Sequence, residues 1–212
     1  MNTAVPQDDP TVKPKGLVSV CIIGFALAAF ALLGAAMTAA GTAGTNPFQS
    51  LVEIGQPEQV RQIQRAMQAD LQTVVDSWSA WLQTAAVLNL FLATLLVVGG
   101  TLALKVRKPA GVVLLAAYSV GVVAEAIGAV PAWAMQKANL AIMEQYMPQL
   151  FRPGPEVDPE FANTMQGIMQ ASMVAGAVMG GVMILGKVGF HVFGLWFLRR
   201  PSCERLWRNA AD

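Results

Sequence analysis

The sequence predicts an all-α polytopic membrane protein with four transmembrane helices, and two observations support this. Four apolar stretches occupy residues 17–41, 83–104, 110–134 and 174–198. A bilayer core about 30 Å thick requires ~20 apolar residues in a helix, so each stretch is long enough to cross it. The chain of 212 residues is also 55% hydrophobic and only 13% charged, with a positive mean hydropathy, unlike an ordinary soluble domain.

The basic residues gather on one side of the predicted membrane. Nine of them lie before the first span, between the second and third spans, or after the fourth: Lys13, Lys15, Lys105, Arg107, Lys108, Arg199, Arg200, Arg205 and Arg208. The two longer loops hold four basic residues among eight acidic ones. The positive-inside rule therefore predicts cytoplasmic N and C termini and two external loops. Abundant Ala and Gly, with no Cys in these loops, favour a bacterial inner membrane.

The first half of the chain is predicted to be a disordered cytoplasmic arm, 1–16, followed by a helical hairpin, 17–106. The first span is longer than the 7–15 apolar residues of a secretory signal, which favours a retained span over a cleaved one. The outer segment, 42–82, is expected to begin irregularly and to restart as a helix near Pro57 and Glu58.

The restarted helix is predicted to be amphipathic and to continue into the second span. Its apolar residues recur at spacings of three and four: Val60, Ile63, Met67, Leu71, Val74, Trp78 and Trp81. No helix breaker separates this stretch from the second span. The sequence therefore predicts one helix over 57–106.

A second helical hairpin is predicted over 107–200, with the outer segment at 135–173 and a basic cytoplasmic tail at 201–212. Pro131 is expected to kink the third span, and Pro148 with the Arg152-Pro153-Gly154-Pro155 run to force a turn. Asp158-Pro159-Glu160 has the pattern of a helix start. Because both hairpins follow the same plan, the sequence indicates a parallel two-fold repeat about the membrane normal.

Three ionisable residues lie inside the spans: Glu125, Lys187 and His191. Such groups are costly in a bilayer and usually face the bundle interior or water. At ~1.5 Å per residue from the basic ends, Glu125 lies ~22 Å deep and Lys187 ~17 Å, close enough for an ion pair. Asn89 lies at the level of Glu125 and is expected to hydrogen-bond there. This polar site is either a structural clasp between helices or an ion path.

Small residues form stripes along two of the spans. The fourth span carries Gly176 and Gly180 on the stripe that continues to Lys187 and His191. The third span carries Gly121 and Gly128. Because small residues let helices approach closely, these four glycines are predicted to pack against other helices.

Enzymatic and nucleic-acid functions have no support in the sequence. The chain has one His, and it lacks a His-Glu metal box, a Gly-rich phosphate loop and a nucleophile elbow. We therefore predict a protein without catalytic residues, metal or cofactor.

The loop Leu102-Ala103-Leu104-Lys105-Val106-Arg107-Lys108-Pro109-Ala110-Gly111, followed by Ala117-Tyr118, resembles uncharacterised bacterial four-span inner-membrane proteins. The topology is similar to that of tetraspanins and claudins, but the outer loops lack the cysteines on which those families depend. The resemblance implies a four-span fold and carries no functional residues.

We expect a non-enzymatic scaffold or accessory subunit in the lipid bilayer that binds a protein partner or forms a homo-oligomer. The alternative is a small oligomeric transporter or channel that uses the polar site at Glu125, Lys187 and His191.

Overall fold

The computed structural model describes residues 13–42, 58–150 and 159–210, and within them it is helical with no strand. The described residues form six helices, in order α1 Leu17–Thr42, α2 Glu58–Ser77, α3 Ser79–Leu104, α4 Ala110–Leu150, α5 Pro159–Leu198 and α6 Pro201–Asn209. Four of them, α1, α3, α4 and α5, are long and apolar enough to cross a membrane. The predicted all-α polytopic fold is confirmed.

Some predicted features fall outside the described residues. These are residues 1–12 of the predicted arm, residues 43–57 of the first outer segment, and the Arg152–Pro155 turn. The described residues do include the start of α5, which begins at Pro159 and has Glu160 in its first turn. A proline has no N–H to leave unsatisfied there, and the acidic side chain favours the positive end of the helix.

The helices divide into two compact units. Unit 1 contains the described residues up to Ala35, Ala86–Glu125 and the residues from Gly186 onward. Its apolar core includes Leu17, Leu92, Leu96, Leu114, Tyr118 and Leu198. Two helices approach closely where Gly100 of α3 faces Phe25 of α1, because a Cβ at Gly100 would lie 2.8 Å from the phenyl ring. Any larger residue at Gly100 requires the ring to move.

The turn between α3 and α4 closes unit 1 at its basic end. The Arg107 N–H donates to the Leu102 carbonyl at 3.0 Å, and the Val106 N–H donates to the Ala103 carbonyl at 3.1 Å. These bonds form a Schellman motif, which requires a left-handed residue, and Val106 adopts φ 52° there. The Lys13 ammonium donates to the Leu104 carbonyl at 2.7 Å. The last turn of α3 is therefore capped by both backbone and side chain.

The segment predicted as a basic tail, 201–212, contains the short helix α6. Pro201 occupies its first turn, and Cys203 and Leu206 are buried in the core of unit 1. The Trp207 indole covers Gly111, where a Cβ would lie 2.6 Å from the ring. The spacing of these three residues puts them on one helical face, and burying that face drives the tail to fold.

Unit 2 contains Ala36–Ala85 and Ala126–Leu185. The single helix predicted over 57–106 is wrong in one respect, because the chain breaks at Trp78 between α2 and α3. The Ser77 hydroxyl donates to the Val74 carbonyl at 2.7 Å, and the Trp78 N–H turns to the Val75 carbonyl at 3.1 Å. A serine hydroxyl competes in this way for a backbone acceptor and interrupts the ladder.

Pro131 of the third predicted span and Pro148 of the following outer segment both lie inside α4, which ends at Leu150. Pro148 does not itself end the helix, and the rest of the predicted turn, Arg152–Pro155, lies outside the described residues. Proline at this position frees the carbonyl of Glu144, an exposed residue, so the cost of the lost bond is small. Two residues before Pro148, the Tyr146 hydroxyl donates to Oδ2 of Asp70 in α2 at 2.7 Å and joins the two helices.

Candidate functional site

An ion pair joins α4 and α5 inside unit 1. The Lys187 ammonium nitrogen lies 2.9 Å from Oε1 and 3.2 Å from Oε2 of Glu125. The Glu125 side chain is 11% exposed and that of Lys187 is 33% exposed. The lysine therefore donates to both oxygens of a nearly buried carboxylate.

His191 lies one helical turn from the ion pair, at the centre of unit 1. It is 1% exposed, and its ring rests on the backbone of Gly121. A Cβ at Gly121 would lie 2.5 Å from Nδ1 and 2.6 Å from Nε2. The buried Nδ1 has no hydrogen-bond partner among the described residues. A buried nitrogen without a hydrogen bond costs free energy. The His191 side chain is therefore held in place by the packing of its ring and not by a hydrogen bond at Nδ1.

A reciprocal contact lies one turn further on. The Tyr118 ring of α4 covers Gly194 of α5, where a Cβ would lie 2.7 Å from the ring. The Tyr118 hydroxyl donates to the Val20 carbonyl of α1 at 3.5 Å, so this residue bridges three helices. Each helix thus provides an aromatic ring to a glycine of the other.

The three contacts between α4 and α5 follow one antiparallel register. From Tyr118 to Gly121 to Glu125, each step along α4 is matched by an equal step backward along α5, from Gly194 to His191 to Lys187. Opposite charges and two ring-on-glycine contacts therefore specify the same alignment. A shift of either helix by one turn would break all three contacts.

Sequence reasoning missed the role of Tyr118, although a signal was present. On each helix an aromatic residue is followed three positions later by a glycine. These pairs are Tyr118 and Gly121 on α4, and His191 and Gly194 on α5. Residues three apart share a helical face, so this pattern predicts that each helix presents a large ring next to a glycine that can accommodate a ring from the other helix.

Asn89 makes no side-chain hydrogen bond to the ion pair. It is half-buried in α3, and its side chain has no hydrogen-bond partner within the described ranges 13–42, 58–150 and 159–210. Its predicted bond to Glu125 or Lys187 is therefore wrong. Equal depth places two residues at one level, but it does not place their side chains on facing sides of neighbouring helices.

The predicted packing glycines divide into two groups. Gly121 is in close contact, as described above. In contrast, Gly128, Gly176 and Gly180 have nothing within 4 Å of a Cβ position among the described atoms. Their predicted packing is not seen within the described part of the chain.

The described residues hold no cluster of three or more His, Cys, Asp or Glu side chains that fits a metal ion. An open pocket in unit 2 is lined by Ala80, Trp81, Thr84 and Ile127. Its one side-chain hydroxyl, that of Thr84, already donates to the Ala80 carbonyl at 2.8 Å. The pocket offers neither a base nor a nucleophile for catalysis.

The polar site combines an ion pair between Glu125 and Lys187 with a buried imidazole nitrogen of His191 that has no hydrogen-bond partner among the described residues. Breaking a buried ion pair strands a charge at low dielectric, which costs far more than the pair gains over apolar residues. The presence of such a pair is therefore weak evidence for added stability. No protein-family model, curated protein or solved structure matches this chain.

Proposed function

We propose that this membrane protein is a non-enzymatic scaffold or accessory subunit, and that α5 provides the surface that contacts a protein partner or a second copy of the chain. The observation that carries the proposal is an open face on α5, formed by Gly176, Gly180 and Met183. No described atom lies within 4 Å of a Cβ position at either glycine, and Met183 is 49% exposed.

The open face continues the stripe that binds α4 elsewhere. Lys187 and His191 stand on this stripe and engage α4 through the ion pair and the ring on Gly121. On the N-terminal side of Lys187, the same stripe contains Gly176 and Gly180, which have no neighbours in the described part of the chain. Glycines allow another helix to approach to backbone contact, where dispersion and weak hydrogen bonds replace lipid contacts.

Within unit 1, the ion pair and the two ring-on-glycine contacts hold α5 in one register against α4. A fixed register of this kind lowers the ordering cost when a partner binds to the same part of the helix.

The test compares native masses in mild detergent for the wild type, a Gly176→Leu, Gly180→Leu double variant, and Gly34→Leu. Gly34 in α1 also has nothing within 4 Å in the described structure, so it is a matched control. We expect the wild type and the control to elute with a stoichiometric partner or as a homo-oligomer. The double variant should elute as a single chain. If it keeps the wild-type mass, the open face is not the contact surface.

A small transporter or channel is the second candidate, because His191 has an unpartnered buried nitrogen next to an ion pair. Groups of this kind relay protons in membrane proteins. The test is dissipation of a pH gradient in proteoliposomes containing the wild type or Glu125→Gln. Flux that is present in the wild type and lost in the variant favours this candidate. Equal behaviour of wild-type and empty vesicles removes it.

A further inference from the structure

Three arginines converge where α5 ends and α6 begins. Arg199 and Arg200 form the two-residue link between the helices, and both are exposed. Arg205 folds back toward the link, where its Nε donates to the Pro201 carbonyl at 3.3 Å. None of the three forms an ion pair with a carboxylate in the part of the chain that the structure describes, although Glu204 lies in the same turn. The link therefore concentrates positive charge.

One of these cations is held in a defined position. The Arg200 guanidinium stacks over the Trp196 indole, with its carbon 3.8 Å from the ring centroid, and lies 5.4 Å from the Phe197 ring. Stacking occupies one face of the planar group and leaves its edges free to donate two parallel hydrogen bonds. That geometry matches a phosphate or carboxylate.

An apolar strip continues from the stacked arginine along α5. The Phe193 ring centroid lies 5.6 Å from that of Trp196 and 6.1 Å from that of Phe197. Phe193 is 44% exposed and Trp196 is 54% exposed. Because these residues belong to a membrane-spanning helix, their exposed rings face hydrocarbon, and tryptophan favours the interface with the headgroups.

We propose that the α5–α6 link binds an anionic phospholipid, with its phosphate held by Arg199 and Arg200 and its acyl chain along Phe193 and Trp196. Charge complementarity selects an anion, and the aromatic strip below the cations selects a ligand with a hydrocarbon tail. A free phosphate ion satisfies only the first condition. The proposal is independent of the side of the membrane on which the link lies and of any protein partner.

The experiment counts lipids bound to the purified protein by native mass spectrometry, with phosphatidylglycerol or phosphatidylcholine added. We expect retention of phosphatidylglycerol and little of phosphatidylcholine. Arg200→Gln should weaken phosphatidylglycerol binding about tenfold or more, the weight of a charge-assisted hydrogen bond. Arg199→Gln should act in the same direction. Trp196→Leu should have an intermediate effect, because the guanidinium loses its support.

The matched control is Arg208→Gln, which removes one charge from the last turn of α6 and leaves the stacked group intact. It should weaken binding by less than about fivefold, the weight of one surface charge. Circular dichroism and elution volume verify that each variant folds, which we expect because Arg200 makes no side-chain cap in α6. Equal losses in Arg208→Gln and Arg200→Gln, equal binding of both lipids, or displacement of the lipid by inorganic phosphate would each overturn the proposal.

Discussion

Replacing Gly121 by alanine tests the contact between α4 and α5 directly. The added methyl would lie 2.5 Å from Nδ1 of His191, closer than real Cβ contacts, and the buried ring has to shift. Overpacking of this kind costs about 1–3 kcal/mol. Alanine in place of glycine inside a helix stabilises the folded state by about 0.5–1 kcal/mol. We expect the free energy of unfolding to fall by about 1 kcal/mol.

Gly128→Ala is the matched control in the same helix. No described atom lies within 4 Å of its Cβ position, so only the gain in helix propensity applies. We expect this variant to be about 0.5–1 kcal/mol more stable than the wild type. The assay is unfolding by SDS titration in mild-detergent micelles, followed by circular dichroism. The two glycine-to-alanine changes should have opposite signs.

A double-variant cycle separates the contact from other effects. In a His191→Ala background the ring is absent, and Gly121→Ala should no longer destabilise the protein. The reasoning is refuted if Gly121→Ala is as stable as Gly128→Ala in the wild-type background. It is equally refuted if the loss persists unchanged without the His191 ring.

Three further predictions follow from individual contacts. Lys187→Ala should lower the yield of folded protein more than Glu125→Gln with Lys187→Met, because only the single variant strands a charge; equal yields would rule out the clasp. Tyr146→Phe should cost about 1 kcal/mol in the same SDS titration, since the 2.7 Å bond to Asp70 is lost, and an unchanged midpoint would contradict this. Burial raises the pKa of the Cys203 thiol, so the contribution of this thiol to stability should be constant below the ordinary pKa of 9.0 and should be lost as the pH rises through the raised pKa. A maleimide should react slowly with Cys203 until the protein unfolds. Rapid labelling of the native protein would disprove the burial.

The membrane-spanning helices could be predicted because bilayer thickness sets a length that apolar runs reveal directly. The predicted spans 17–41 and 83–104 fall within α1 and α3. The interruption at Trp78 could not be predicted from apolar spacing, since it depends on one serine hydroxyl competing for a backbone acceptor.

The polar site was predictable in part. Opposite charges at similar depth indicated that Glu125 and Lys187 could meet, and the structure places them together. Depth alone does not fix which way a side chain points around its helix axis, and the hydrogen bond predicted for the Asn89 side chain is absent among the described residues. The contact of Tyr118 with Gly194 was missed because its signal lies in the three-residue spacing of an aromatic residue and a glycine on each helix, and not in charge or hydropathy.

The short helix α6 is a second element that could not be predicted from the sequence pattern. Its sequence contains Arg205 and Arg208 and therefore appears as a basic tail. Only Cys203, Leu206 and Trp207 mark an apolar face. Nine residues are too few for a stable helix in isolation. Packing on unit 1 provides the stability, and this packing is a tertiary effect that the local sequence does not state.

The most direct test of the proposed function is the native mass of the wild-type protein, purified in mild detergent from its own membrane. We expect a complex larger than one chain, either with a stoichiometric second polypeptide or with an integer number of copies. A monodisperse single chain, obtained under conditions that preserve helicity, would contradict a scaffold or accessory role for the open face of α5.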